Sequence, residues 1–152
     1  MNEAVETNGI LELLRFELKF LEDGGYGRSP HAPQRPSLAF EDSPSCLNFD
    51  DPARPHPCSE CMLLRFVPAE HQQKETPCRL IPLTADGKTI DHFYRSGSQV
   101  ELEAALAGWL RREIERLESD SQGAASRESA SVAPGSSSRQ AVRKYVGMHD
   151  VK

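Results

Sequence analysis

The sequence predicts a small α+β domain: an antiparallel sheet of four or five strands with one C-terminal amphipathic helix packed on it, long loops and a disordered tail. Side chains alternate in polarity from Leu14 to Phe20, an Asp-Gly pair at 86–87 separates two apolar runs, and apolar residues recur at three- and four-residue steps after Ser98. We expect a flexible N-terminus at 1–9, a single domain at 10–118 and a disordered Ser/Ala/Gly-rich tail at 119–152.

The first predicted strand covers residues 14–20. Apolar residues at the even positions alternate with charged residues at the odd positions, which is the period of a half-buried strand. The two Phe residues and the following Gly24-Gly25 turn also favour a strand. The alternative is an amphipathic helix, whose apolar face would comprise Ile10, Leu13, Leu14, Leu18 and Leu21.

Further short strands are predicted at 37–40, 62–67, 79–83 and 88–94. Pro68 ends the second of these. Asp86-Gly87 predicts a hairpin turn between the last two, because glycine adopts a positive φ without a Cβ clash. Pro82 has no backbone N–H to donate, so it restricts its strand to an edge or a bulge.

The best-defined predicted element is a helix over residues 99–118. Ser98 and Glu101 have the spacing of a capping box, in which each side chain accepts from the other residue's backbone N–H. The opposite face of the helix is charged, which predicts an amphipathic helix packed on the sheet. Its apolar stripe consists of Leu102, Ala105, Leu106, Trp109, Leu110, Ile114 and Leu117.

The four cysteines are the one group of residues in the sequence that indicates a specific chemistry. Cys58 and Cys61 are separated by two residues, the spacing with which two thiolates bind one ion from a tight turn. Cys46 and Cys78 lie beside predicted strands that could return to the same place. We therefore predict a zinc site formed by Cys46, Cys58, Cys61 and Cys78, with His56 and His71 as substitute ligands. Four thiolates fill a tetrahedral site, which is the pattern of structural zinc.

Two other interpretations of the cysteines stay open. Cys58 and Cys61 have the spacing of a thiol redox pair, although such a pair normally opens a helix that follows a strand. The four residues are also compatible with ordinary buried thiols. Their spacing departs from zinc-ribbon and rubredoxin patterns, which need a second close pair.

Composition limits the class of protein. The net charge of −5 argues against broad contact with a nucleic-acid backbone, which needs a basic face. The polar start of the chain lacks a signal-peptide pattern, and no apolar run is long enough for a membrane span. We therefore expect a cytoplasmic protein with no membrane contact and leave its protein partner open.

No catalytic motif stands out in the sequence. The nucleophile elbow, the zinc-protease motif and the dinucleotide-binding glycine pattern are all missing. These observations predict a non-enzymatic binding or regulatory module stabilised by cysteine-bound zinc. A small thiol redox protein that uses Cys58 and Cys61 is the alternative.

Overall fold

The computed structural model describes residues 2–27 and 37–132. Three α-helices occur in this part of the chain: α1 (Asn2–Glu22), α2 (Ile90–Ser96) and α3 (Gln99–Val132). Four short 3-10 helices lie between α1 and α2, at Cys58–Glu60, Met62–Phe66, Ala69–His71 and Pro77–Leu80. By its internal contacts the chain divides into two compact units, Met1–Glu115 and Arg116–Lys152.

The predicted antiparallel sheet is wrong for the described residues, which contain no β-strand. An isolated antiparallel bridge between Pro82 and Thr89 flanks the Asp86-Gly87 turn. Gly87 has the positive φ expected of that turn, 85°. The turn itself is therefore confirmed, but a single bridge is all the pairing that its flanks make.

The predicted strand at residues 14–20 is instead part of α1. Its alternation is misleading, because Phe16 is 45% exposed whereas Glu17 is fully buried. The alternative interpretation, an amphipathic helix, describes this segment. The side chains buried on α1 follow helical spacing and comprise Ile10, Leu11, Leu14, Glu17 and Leu21.

The other predicted strands are also replaced by helices and turns. Met62–Phe66 is a 3-10 helix, which ends as predicted before Pro68, because a residue that precedes proline is pushed towards extended backbone. Residues 39 and 40 lie in a turn, where Phe40 has a φ of 64°. Thr89 caps α2 by accepting a bond of 3.1 Å from the His92 N–H, so the predicted strand at 88–94 is mostly helix.

The predicted C-terminal helix is confirmed at its start. Glu101 Oε2 accepts from the Ser98 N–H at 2.8 Å, and Ser98 Oγ accepts from the Glu101 N–H at 3.2 Å, which is the expected capping box. The helix continues beyond the predicted end at Glu118 to Val132. Residues 119–132 of the predicted tail are thus helical, while residues 133–152 lie outside the described part.

The buried side of α3 does not rest on a sheet. Trp109 packs edge-to-face against Phe40 and Phe66, with ring centroids 6.2 and 5.0 Å away. Both partners belong to the region of turns and 3-10 helices between α1 and α2. This region, residues 37–83, carries all four cysteines and is called the cysteine region below.

Part of the N-terminal segment that was predicted to be flexible is helical. α1 already begins at Asn2, so residues 2–9 of the segment predicted to be flexible are helical. The domain limits 10–118 stay a prediction.

In the described ranges no helix combines the length and apolarity that a membrane span requires.

Candidate metal site in the cysteine region

Cys46 lies in a chain of tight turns anchored to α1. Its N–H donates to the Ser43 carbonyl at 3.1 Å, and its own carbonyl accepts from Phe49 at 3.0 Å. The hydroxyls of Ser43 and Ser45 donate to the Glu17 carboxylate at 2.6 and 2.7 Å. The position of Cys46 is thereby set by hydrogen bonds that begin on a helix almost thirty residues away.

Cys58 is the first residue of a short 3-10 helix, and Cys61 directly follows the last. Pro57 precedes it in an extended conformation, and the Cys61 N–H bonds to the Cys58 carbonyl at 3.1 Å. The Cys61 carbonyl then accepts from Leu64 at 3.1 Å, at the start of the next 3-10 helix. The two-residue spacing thus forms the tight turn that the sequence predicts.

Cys78 lies in the 3-10 helix Pro77–Leu80, which packs against Met62–Phe66. The chain that leads into it also meets the Cys58–Cys61 turn, since the Cys58 thiol is 3.8 Å from the Glu75 carbonyl. Cys78 is therefore brought beside the other pair by contacts between short elements rather than by a sheet.

All four cysteines line one small cavity. Its volume is about 30 Å³, which is roughly the space for one water-sized group. Apolar side chains, among them Phe40 and Leu63, form much of the remaining wall, together with Glu41 and His56. The four residues are free thiols and are partly exposed.

The two predicted substitute ligands differ in position. His56 lines the cysteine cavity, and its Nδ1 atom is 3.9 Å from a carboxylate oxygen of Glu60. His71 is not among the residues that line the cavity. Its Nδ1 atom is buried without a hydrogen-bond partner in the described residues.

The thiols interact electrostatically. Burial raises the pKa of Cys61, and the neighbouring Cys46 and Cys58 add to the rise, partly opposed by a hydrogen bond from the Leu63 backbone. Burial also raises the pKa of Cys78, with further contributions from Glu41 and the other three thiols. Negative charge on several of these sulfurs is therefore costly in this cavity unless a cation accompanies it.

Glu41 is itself held by Arg79, the residue after Cys78. Arg79 donates to both Glu41 oxygens, at 2.8 and 3.0 Å, which is the bidentate geometry of a strong ion pair. Tyr94 of α2 lies beneath the guanidinium at 5.7 Å and accepts from the Ala39 N–H at 2.8 Å. No local sequence pattern predicts this pair, because its members are 38 positions apart.

The buried Glu17 was also missed. Its carboxylate accepts hydrogen bonds from the hydroxyls of Tyr26, Ser43 and Ser45, and Tyr26 accepts in turn from the Phe40 N–H at 2.8 Å. A strand places Glu17 on the solvent face, whereas a helix places it between Leu14 and Leu21 on the buried face. The helical interpretation of α1 would have revealed it.

The thiols share a cavity, yet they are not already gathered around one point. No three His, Cys, Asp or Glu side chains of residues 2–27 and 37–132 stand in a metal-coordinating arrangement. Neutral thiols have no strong mutual attraction, so their sulfurs have no reason to converge until a cation draws the thiolates in. The fold nevertheless brings Cys46 and Cys78, which are 32 positions apart in the sequence, to the wall of one cavity.

The surroundings of Cys58 and Cys61 differ from those of a redox pair. Cys58 opens a 3-10 helix of three residues, whereas a reactive thiol usually gains its low pKa at the start of a longer α-helix. Burial moves the pKa of Cys61 in the opposite direction.

Comparison with known proteins gave no match, whether to a family model, a curated protein or a solved structure.

Proposed function

We propose that this chain is a non-enzymatic binding or regulatory module whose cysteine region is held together by one zinc ion. The ligands are Cys46, Cys58, Cys61 and Cys78. The observation that carries the proposal is that all four thiols line a single cavity of about 30 Å³.

The donor set selects the metal. Four soft thiolates favour zinc over the hard cations magnesium and calcium, which prefer oxygen ligands. Zinc accepts four thiolates in a tetrahedron with Zn–S distances of about 2.3 Å and then has no open position for a substrate. The site therefore acts as structural reinforcement rather than as a catalyst.

The cysteine region has a physical need for such reinforcement. Between α1 and α2 the described chain forms only turns, an isolated bridge and 3-10 helices of three to five residues. Elements this short contribute few cooperative backbone hydrogen bonds. Zinc binding adds directly to the free energy of folding, and a cytoplasmic location, which we also propose, keeps the thiols reduced and available.

The binding part of the proposal rests on apolar side chains beside the site. Leu47 and Phe49 follow Cys46 closely and are 49% and 43% exposed. Leu47 also lines the cysteine cavity, so an exposed apolar side chain lies directly beside the proposed metal site. A zinc ion that fixes Cys46 would fix the orientation of these two residues as well.

Metal analysis of the purified full chain tests the proposal. We expect one zinc per chain, and replacement by cobalt should give the intense visible absorption of a tetrahedral thiolate site. Substituting any one cysteine by Ser should weaken metal binding and alter this spectrum. The control is Ser59→Ala, an exposed position between Cys58 and Cys61, which should bind as the parent does.

A different result would favour the thiol redox alternative. In that case the protein contains no bound metal, takes up none, and reacts rapidly through Cys58 or Cys61 with a thiol reagent in the absence of chelator. Thiols that are protected until chelator is added support zinc. A chain that neither binds metal nor shows fast thiol reaction contains ordinary thiols, and the proposal is then wrong.

A further inference from the structure

Asn48 connects the turn that carries Cys46 to the segment that leads into Cys58. Its side-chain Nδ2 donates to the His56 carbonyl at 2.8 Å, and its Oδ1 accepts from the His56 N–H at 2.9 Å. One amide thus satisfies both backbone groups of a single residue. The Asn48 side chain is buried, with 6% exposure, although His56 itself is exposed.

We propose that Asn48 is a positioning residue that holds Cys46 in register with Cys58 and Cys61 for metal binding, an inference that rests on the zinc site proposed above. Asn48 is two residues after Cys46, and its partner His56 is two residues before Cys58. The pair of hydrogen bonds therefore closes the intervening loop next to both cysteines.

The loop that the amide closes is under conformational constraint. Asp50 and Arg54 have φ values of 58° and 47°, in the left-handed region that non-glycine residues seldom adopt. A loop that holds such conformations tends to relax when its ends are released. Loss of the Asn48 hydrogen bonds would therefore let the Cys58–Cys61 turn move away from the Cys46 turn, which Ser43 and Ser45 keep anchored to Glu17 of α1.

This movement should affect the four thiols unequally. Cys58 and Cys61 are joined by their own 3-10 turn, and the Cys58 thiol also meets the Glu75 carbonyl near Cys78. Cys46 approaches from the other side of the loop. Loss of the hydrogen bonds from the Asn48 side chain should thus release Cys46 from the metal first and leave the other three ligands in place.

The cost to the metal-free fold should be smaller than the cost to metal binding. Because His56 is exposed, water can bond to its N–H and carbonyl once the amide is gone. Loss of a residue that orients metal ligands typically lowers metal affinity by about 10–100-fold. A difference between the two effects separates positioning from general stabilisation.

The test compares Asn48→Ala with the control Asp51→Ala in the full chain. Asp51 lies in the same loop and accepts a local bond from the Ala53 N–H at 3.0 Å, which does not span the loop. Asn48→Asp is a milder second variant, since it keeps the size and the acceptor but loses the donor. For each protein we would measure zinc affinity by competition, the cobalt spectrum, and Tm with and without zinc.

We expect both Asn48 variants to bind zinc about 10–100-fold more weakly, to gain less Tm from zinc, and to give a cobalt spectrum like that of Cys46→Ser. Asp51→Ala should match the parent. If the parent binds metal and the Asn48 variants keep its affinity and its zinc-induced gain in Tm, Asn48 has no positioning role. If the parent itself binds no metal, the proposed zinc site is wrong and this inference fails with it.

Discussion

The Ser43 hydroxyl donates a hydrogen bond of 2.6 Å to the carboxylate of Glu17, a fully buried residue of α1. Tyr26 and Ser45 donate to the same carboxylate. A buried acceptor with several donors costs little while the network is complete and much when a member is removed. This relationship ties the first helix to the turns that carry Cys46.

Glu17→Ala should destabilise the protein strongly. Three buried hydroxyls would lose their acceptor, and each unsatisfied buried donor costs about 1–3 kcal/mol. We expect a loss of roughly 3 kcal/mol or more in the free energy of unfolding measured with urea, and a smaller loss for Glu17→Gln, which keeps the size of the side chain. Glu12→Ala, at an exposed position of α1, is the control. Equal effects at positions 12 and 17 would contradict the buried network.

Tyr26 should make stability fall at alkaline pH. Burial raises the pKa of its phenol, and Glu17 adds to the rise through its charge and its hydrogen bond. The stabilisation is complete below the unfolded pKa of about 10 and declines above it, because the unfolded chain then releases its phenolic proton while the folded chain retains it. Each pH unit above this value should cost about 1.4 kcal/mol for this residue.

Urea unfolding between about pH 9 and 11, on either side of the unfolded tyrosine pKa, measures this slope. Tyr26→Phe should show a shallower decline than the parent. Tyr94, whose pKa is also raised by burial, supplies a remaining part in both proteins. Identical slopes in parent and variant would show that Tyr26 is not the group responsible.

Trp109→Ala should cost roughly 3–5 kcal/mol, the usual range for removing a buried aromatic side chain. Trp109 is 6% exposed and contacts Phe40 and Phe66 of the cysteine region. Thermal or urea unfolding of a protein verified as monomeric provides the measurement. The control is Val100→Ala on the same helix, where the side chain is 77% exposed. A near-neutral Trp109 variant would mean that α3 contributes little to the core.

Removal of the residues after Ser121 should change Tm by no more than a few degrees. Residues 119–122 are exposed, and exposed polar segments bury too little apolar surface to add much stability. Melting of the shortened and full chains, followed by circular dichroism, makes the comparison. A large drop in Tm would show that the predicted domain limit at residue 118 is too early.

Local signals in the sequence predicted two features whose partners are close along the chain. The capping box joins Ser98 to Glu101, and both of its hydrogen bonds form. The Asp86-Gly87 turn needs only a residue that tolerates a positive φ, which Gly87 supplies. These features depend on backbone geometry within four residues, so they could be predicted without knowledge of the fold.

The conformation of residues 14–20 could be established only from the tertiary structure. Their alternation fits a strand and their wider spacing fits a helix, and the choice depends on which residues find buried partners. Glu17 finds Tyr26, Ser43 and Ser45, which stabilise a buried carboxylate only when α1 is helical. No sequence pattern within α1 predicts these hydrogen-bond donors, which lie outside the helix.

The cysteines show the same division. The two-residue spacing of Cys58 and Cys61 predicts a tight turn, since this spacing is typical of two thiolates that bind one ion, and the turn forms. That Cys46 and Cys78 line the same cavity follows from the folded chain alone, because no local pattern relates the two residues. The segments that carry these cysteines are connected by the Asn48–His56 hydrogen bonds, the Glu41–Arg79 ion pair and the packing of short 3-10 helices. Each of these contacts joins residues that are not neighbours in the sequence. Their proximity in space therefore could not be predicted from local patterns.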